Sequence, residues 1–167
     1  ILHTKESLER MKYYVDHRIE PAYSSYRLLE ADSCALSTYQ MQGPFEVIAR
    51  LGVNKHTKRP SEDDHKAAYL NALMWTLTGD EAHARKSIEI LNAYSTTLKL
   101  IGPNDNDDPL CASLQGSMLA NAAELIKHTY SKVTPAEIAG WEKMLRTVFI
   151  PVLDTFFKAK PYTNGNW

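Results

Sequence analysis

The chain has 167 residues, of which 44% are apolar and 23% are charged, and its formal net charge is −1. This length suits one domain with a core of its own, and the composition excludes a wholly disordered chain. The near-zero charge disfavours a nucleic-acid-binding protein, and no apolar run approaches the roughly 18 residues that span a bilayer, so neither nucleic acid nor a membrane is expected as a partner.

The two cysteines, Cys34 and Cys111, are too few to build a metal cluster by themselves. They fit either a disulfide formed in an oxidising compartment or two buried thiols. The sequence contains no phosphate-binding glycine loop, zinc-binding HExxH or nucleophile-elbow motif, so we expect no cofactor and no metal. The first residues form no signal peptide, which leaves open an export signal that has been removed.

The first part of the chain predicts a helix whose apolar residues recur every three or four positions. Thr4 is its expected N-cap, and Pro21 separates it from a second helical stretch over residues 22–31. Residues 32–61 are less regular. Within them, residues 45–49 fit either a strand or a helical turn, because periodicity does not decide for so short a run.

The clearest predicted hairpin of helices follows. Ser61 and Asp64 resemble a capping box at the start of its first helix. Gly79 is a natural C-terminal stop, and Asp80 is expected to cap the second helix.

A third long helix is predicted from about residue 113 to residue 130, with Leu114 in its apolar stripe. The next helix has a strong start signal, because Thr134 can cap it and Glu137 stands at the third helical position. Pro151 is expected to kink or end that helix.

These elements predict an all-α fold of antiparallel helical hairpins. Helix starts near Asp64 and Ser113 lie about 50 residues apart, whereas a tetratricopeptide array would repeat every 34 residues or so. Larger hairpins packed around a ring fit this spacing better. We expect helix over most of residues 64–100 and 113–158, with little or no sheet.

Three stretches carry a family resemblance: residues 67–80 (AAYLNALMWTLTGD) followed by 93–95 (AYS), residues 114–124 (LQGSMLANAAE), and residues 163–167 (TNGNW). Together they resemble the alginate-lyase-like polysaccharide lyases, which fold as an incomplete (α/α) toroid. The resemblance implies an enzyme that cleaves an anionic uronate polymer, such as alginate or a glucuronan, by β-elimination. It also implies a periplasmic or secreted protein.

The resemblance further implies a longer protein, because the toroid needs several more hairpins. Residues 1–167 would be the N-terminal portion of a single toroid domain, and its partner would be the missing C-terminal portion of the same enzyme. Related lyases often have an Asn-Asn-His type sequence where this chain has Asn164-Gly165-Asn166. The histidine is missing here, and the catalytic base and acid, usually Tyr or His with an assisting Arg, are expected beyond Trp167.

β-Elimination requires removal of the proton at C5 beside the uronate carboxylate, whose charge must be neutralised as the transition state forms. Asn166 and Asn164 are the candidates, because an amide donates hydrogen bonds without a protonation equilibrium. The alternative is that Asn-Gly-Asn is only a turn. Trp167 is expected either to stack on a sugar ring or to pack in a core.

Two further residues are candidates for substrate binding. Gln115 could donate hydrogen bonds to sugar hydroxyls, and its alternative is an exposed or capping glutamine. Tyr69 is the second candidate; Tyr69 and Trp75 lie six positions apart and do not closely share a helix face, so one of these two is expected in the core.

Other polar groups have plainer interpretations. His65, His83 and His128 are expected at the helix surface. Residues 55–59 form a basic run that could attract an anionic polymer or remain a solvated loop. The acidic stretch at residues 104–108 lacks the glycine and closing glutamate of a calcium-binding EF-hand loop.

Two classes of function therefore remain open. One is a uronate polysaccharide lyase, and the other is a non-catalytic helical-repeat module that binds a glycan or a peptide.

Overall fold

The structure is a computed structural model that describes residues 2–103 and 107–160. Helices dominate it, and a two-residue parallel strand pair is the sheet found in this part of the chain. In chain order the elements are α1 (Lys5–Asp16), α2 (Ala22–Glu30), β1 (Val47–Ile48), α3 (Lys58–Thr78), α4 (Glu81–Thr97), β2 (Leu100–Ile101), α5 (Asp108–Thr129), α6 (Pro135–Met144) and α7 (Ile150–Ala159). The all-α prediction is confirmed.

The helix ends that depend on local chemistry are confirmed. Thr4 accepts a hydrogen bond from the Ser7 amide at the start of α1, and Asp80 caps α4. Gly79 ends α3 with a φ of 74°, a left-handed conformation that glycine adopts without strain. Thr134 and Glu137 form the complete capping box at the start of α6.

The start of α3 differs from the prediction. The helix begins at Lys58, so Ser61 and Asp64 lie inside it and are buried rather than capping. The Ser61 hydroxyl donates to the Lys58 carbonyl instead. Pro60 is tolerated because it lies in the first turn, where its missing N–H is not needed. The basic residues Lys58 and Arg59 are therefore helical and not part of a loop.

Pro151 does not end the helical run, which continues to Ala159, so that alternative is wrong; a kink at Pro151 stays a prediction. Residues 145–149 form a π-helical turn that joins α6 to α7. In this turn the Ile150 amide reaches back five residues to the Leu145 carbonyl. The wider turn changes the hydrogen-bond register just before the proline, and Pro151 then occupies the first turn of α7.

The ambiguous segment at residues 45–49 contains a strand. Val47 pairs with Leu100 and Ile48 with Ile101, in parallel. The Gly102 amide also donates to the Ile48 carbonyl. This short strand pair connects the irregular segment before α3 to the residues that follow α4.

The core lies between α3, α4 and α5. Contacts at both ends show that α3 and α5 run parallel. At their starts, Arg50 forms ion pairs with Glu62 of α3 and with Asp107 at the start of α5. At their ends, the Trp75 indole of α3 donates a hydrogen bond to the Thr129 hydroxyl of α5. The short connections make α4 antiparallel to both. The largest fully buried apolar side chains are Trp141, Tyr94, Ile48, Ile90, Leu91, Leu119 and Ile126.

The predicted apolar stripe of α5 is confirmed at Ala122, Leu125 and Ile126, which are buried, but not at its N-terminal end. Leu114 is 43% exposed, whereas its neighbours Gln115 and Gly116 are buried. Gly116 lets α5 approach Phe149 closely, since a Cβ at this position would lie 2.9 Å from the phenyl ring. The approach brings the α6–α7 helical pair against the core.

The last helix, α7, has no buried side chain, and its apolar residues Ile150 and Phe157 are exposed. That further helices cover this face, and that residues 1–167 are the N-terminal portion of one domain, stay predictions. Within the described residues no helix is both long and apolar enough to cross a bilayer.

Candidate functional site

Three of the predicted site residues, Asn164, Asn166 and Trp167, lie outside the described residues. Of the five candidates, the structure therefore places Tyr69 and Gln115. It does not bring these two side chains together, because they occupy different environments on α3 and α5.

Tyr69 is half-buried on α3, and its hydroxyl lies 2.8 Å from Nε2 of His3. Their rings stack with centroids 6.1 Å apart. Burial raises the pKa of the Tyr69 phenol and lowers the pKa of the His3 imidazole, so both groups are held neutral near pH 7. A neutral imidazole nitrogen can accept a hydrogen bond from the phenol hydroxyl. A contact between Tyr69 and a sugar stays a prediction.

Gln115 lies in the core and is 1% exposed, so the alternative of an exposed or capping glutamine is wrong. Its amide nitrogen contacts Sγ of Cys111 at 3.4 Å, and its carbonyl oxygen has no hydrogen-bond partner among the described residues. A contact with sugar hydroxyls stays a prediction, and in this arrangement the side chain helps to pack α5 against α3.

His65 was expected at the surface and is instead fully buried. Its ring meets Tyr94 edge-on with centroids 4.3 Å apart, and neither ring nitrogen makes a hydrogen bond within the described residues. Burial lowers the pKa of His65 to about 3, although Gln115 is near enough to oppose the shift slightly. The imidazole is therefore neutral at physiological pH.

The other two histidines, His83 and His128, differ in their exposure. His83 is partly exposed on α4, and its Nδ1 lies 2.8 Å from Oδ1 of the buried Asn71. His128 is exposed, as expected, and lies 3.3 Å from Glu124.

Sequence reasoning missed a buried carboxylate cluster around Asp64. The Asp64 carboxylate accepts hydrogen bonds from the hydroxyls of Tyr39 and Tyr94 at 2.8 and 2.7 Å, and from the backbone amides of Gln42 and Gly43 at 2.8 Å each. Four donors satisfy the buried charge. The cluster fastens the segment before β1 to α3 and α4, so we assign it a structural role.

The cysteines are two separate buried thiols, and no disulfide joins them. Burial raises the pKa of both, that of Cys111 to about 12, so neither carries a reactive thiolate at neutral pH. No group of three His, Cys, Asp or Glu side chains in residues 2–103 and 107–160 is arranged to hold a metal ion.

Several basic residues lie at the start of α3. Lys55 and His56 lie in a 3₁₀ turn, and Lys58 and Arg59 begin the helix. We call residues 55–59 the basic segment. Lys55, His56 and Arg59 are exposed, and Lys55 and Lys58 form no ion pair within the described part of the chain, while Arg59 pairs with Asp63.

The first turn of α3 contains no acidic residue. Cations at a helix N-terminus add to the positive end of the helix dipole instead of neutralising it, so this surface favours an anion.

The last described residues lie at the same end of the molecule. A groove of about 440 Å³ is formed by Asp108 and Pro109 at the start of α5 and by the last turn of α7 with Lys160. The end of α7 therefore lies beside the start of α5, and Arg50 links the start of α5 to the N-terminal part of α3. The end of α7 and the basic segment thus occupy the same end of the helical bundle.

Compared with protein-family models, curated proteins and solved structures, the chain matches none significantly.

Proposed function

We propose that the protein is a polysaccharide lyase that cleaves an anionic uronate polymer, alginate or a glucuronan, by β-elimination. In this proposal the antiparallel hairpins belong to an incomplete (α/α) toroid. One observation carries it: the basic segment lies at the end of the bundle where α7 leads the chain towards Asn164, Asn166 and Trp167. Lys160, the last residue that the structure describes, lies at this end, and the residues that resemble the lyase motif follow it in sequence.

The chemistry assigns a task to each group. Lys55 and Lys58 raise the local concentration of the polyanion, and the positive end of α3, whose first turn has no acidic residue, acts in the same direction. Asn166 and Asn164 donate hydrogen bonds to the uronate carboxylate as charge develops on it. A base removes the C5 proton, the bond between C4 and the bridging oxygen breaks, and that oxygen takes up a proton.

The products follow from that balance. A C4–C5 double bond forms at the new non-reducing end, and no water is consumed. The base and the acid belong to residues beyond Trp167 in this proposal.

The first test replaces Asn166 in the natural full-length protein. Asn166→Ala should lower turnover by about 10²–10³, as the loss of one preorganised donor does, with a much smaller effect on binding. Asn166→Asp should be at least as harmful, because it places a like charge against the carboxylate. The release of ultraviolet-absorbing unsaturated ends and the melting temperature are measured together. Unchanged turnover, or activity lost only in step with unfolding, would assign Asn166 to a turn.

The second test concerns the basic segment. The double variant Lys55→Ala/Lys58→Ala should lower kcat/KM several-fold at low salt and should flatten its dependence on ionic strength. Lys143→Ala is the matched control, since Lys143 is an exposed lysine on α6. Equal salt dependence in the double variant and the control would separate the basic segment from substrate binding.

The alternative function is a helical-repeat module that binds a glycan or a peptide without chemistry. It predicts saturable binding of a uronate polymer by the full-length protein with no unsaturated product, even after long incubation.

A further inference from the structure

A cleft of about 790 Å³ opens at the other end of the bundle, between α1 and the C-terminal halves of α3 and α5. Its walls include Leu8 of α1, Trp75 and Gly79 at the end of α3, and Leu125 of α5. The volume falls within the range of small-molecule sites, which is about 300–1,000 Å³. The proposed elimination assigns no task to it, although His3, which contacts the candidate residue Tyr69, is part of its wall.

The Trp75 indole forms a fixed, partly exposed wall of this cleft. Its Nε1 donates to the Thr129 hydroxyl at 2.9 Å, and its ring meets Tyr130 edge-on with centroids 5.2 Å apart. The two contacts hold the ring plane, so a ligand that stacks on the indole does not have to order it first.

Three polar side chains of α5 line the cleft beside the indole. Asn121, Glu124 and His128 are spaced by three and four residues and therefore share one helix face. Glu124 lies 3.3 Å from His128, and the Asn121 amide nitrogen donates to the Ser117 carbonyl. The carboxylate and the amide oxygen can accept hydrogen bonds from sugar hydroxyls, and the imidazole can accept or donate one.

The charges around the cleft nearly cancel. Two lysines and three glutamates line it: Lys5, Lys12, Glu6, Glu9 and Glu124. Their formal charge is −1 when His3 and His128 are counted as neutral. A polyanion gains nothing from this balance, in contrast to the basic segment.

We propose that the cleft binds a neutral saccharide unit. The apolar C–H face of the sugar ring stacks on Trp75, and its hydroxyls bond to Asn121, Glu124 and His128. Aromatic surface beside planar polar groups suits a ring with one apolar face and polar edges. The site is independent of the lyase reaction, so either proposal can fail alone.

The test measures binding by calorimetry to the full-length protein, with two neutral probes and one anionic probe. The neutral probes are β-1,4-linked oligomers of glucose and of mannose, and the anionic probe is an oligomer of mannuronate. Trp75→Phe should weaken the binding of a neutral oligomer by about tenfold, through the lost indole surface. Asn121→Ala should weaken it several-fold without disturbing the core.

Tyr13→Ala is the control, because Tyr13 is an aromatic residue of α1 that is 52% exposed and does not line the cleft. It should leave binding unchanged. Unsaturated uronate product is measured on the same samples and should not change in Trp75→Phe.

Three outcomes would overturn the proposal. The first is no binding of either neutral oligomer; a hydrophobic dye that binds in the cleft in that case would identify an apolar ligand site. The second is neutral binding that Trp75→Phe and Asn121→Ala both leave intact, and the third is mannuronate binding that these two variants weaken more than neutral binding.

Discussion

Replacing Tyr94 with phenylalanine removes one hydrogen bond from the buried Asp64 cluster and almost nothing else. The Tyr94 side chain is fully buried, and its hydroxyl donates to the Asp64 carboxylate at 2.7 Å. Burial, and then the negative charge of Asp64, raise the pKa of Tyr94, so the phenol is protonated across the physiological range. Phenylalanine keeps the ring and its packing against His65.

The expected cost follows from the partner's charge. A hydrogen bond to a charged group is worth about 1.5–3 kcal/mol, and Asp64 retains three other donors after the substitution. We therefore expect Tyr94→Phe to lower the free energy of unfolding by about 2 kcal/mol. Tyr39→Phe should cost less, because Tyr39 is only half-buried and water can replace its hydroxyl.

Urea titration at pH 7, followed by circular dichroism, measures this difference. Tyr26→Phe is the matched control: it removes a tyrosine–carboxylate bond of 3.2 Å to Glu30 on the more exposed helix α2, and should cost at most about 0.5 kcal/mol. If Tyr94→Phe lowers the free energy of unfolding no more than Tyr26→Phe does, the Asp64 cluster is not a main contribution to the stability of the segment before β1.

Three further predictions concern His65 and two helical glycines. His65 binds a proton in the unfolded chain below about pH 6.5 but in the folded protein only near pH 3, so stability should fall by about 1.4 kcal/mol per pH unit as the pH drops between these values. His65→Gln should remove that contribution from the pH slope of the unfolding free energy; an unchanged slope would show that His65 titrates normally. Gly116→Ala should destabilise the protein by about 1 kcal/mol or more, because its Cβ would lie 2.9 Å from Phe149. Gly140→Ala should stabilise it by up to about 1 kcal/mol, since its Cβ would meet Ser95 at an ordinary 3.6 Å. Thermal melting of the glycine variants checks both signs, and equal shifts would refute the packing argument.

The parts of the fold that the sequence predicted depend on neighbours within one helical turn. Thr4, Gly79 and Asp80 act on backbone groups two to four residues away, so a local pattern is enough to identify them. The all-α class follows from the same periodicity.

The errors concern residues whose partners are distant in sequence. Asp64 looked like a capping residue because its four donors, at positions 39–43 and 94, come from another segment and another helix. His65 and Gln115 looked like surface groups because polarity ordinarily means exposure, whereas the close approach of α3 and α5 buries both. A short π-helical turn before Pro151 has no sequence signal of comparable strength.

The sequence and the structure support different parts of the proposed lyase site. Residues 163–167 carry the resemblance to a lyase, and the structure adds the position of the basic segment relative to the end of α7. The cleft beside Trp75 had no sequence signal, because its lining comes from three helices that meet only in the fold.

The most direct measurement of the central proposal is the mass and proton spectrum of the fragments that the full-length protein releases from alginate or a glucuronan. Elimination predicts fragments lighter by one water than the corresponding hydrolysis products, each with a vinylic proton signal from C4 at its new non-reducing end. Fragments that have gained a water, or an intact polymer after exhaustive incubation with protein that still binds it, would contradict a uronate lyase.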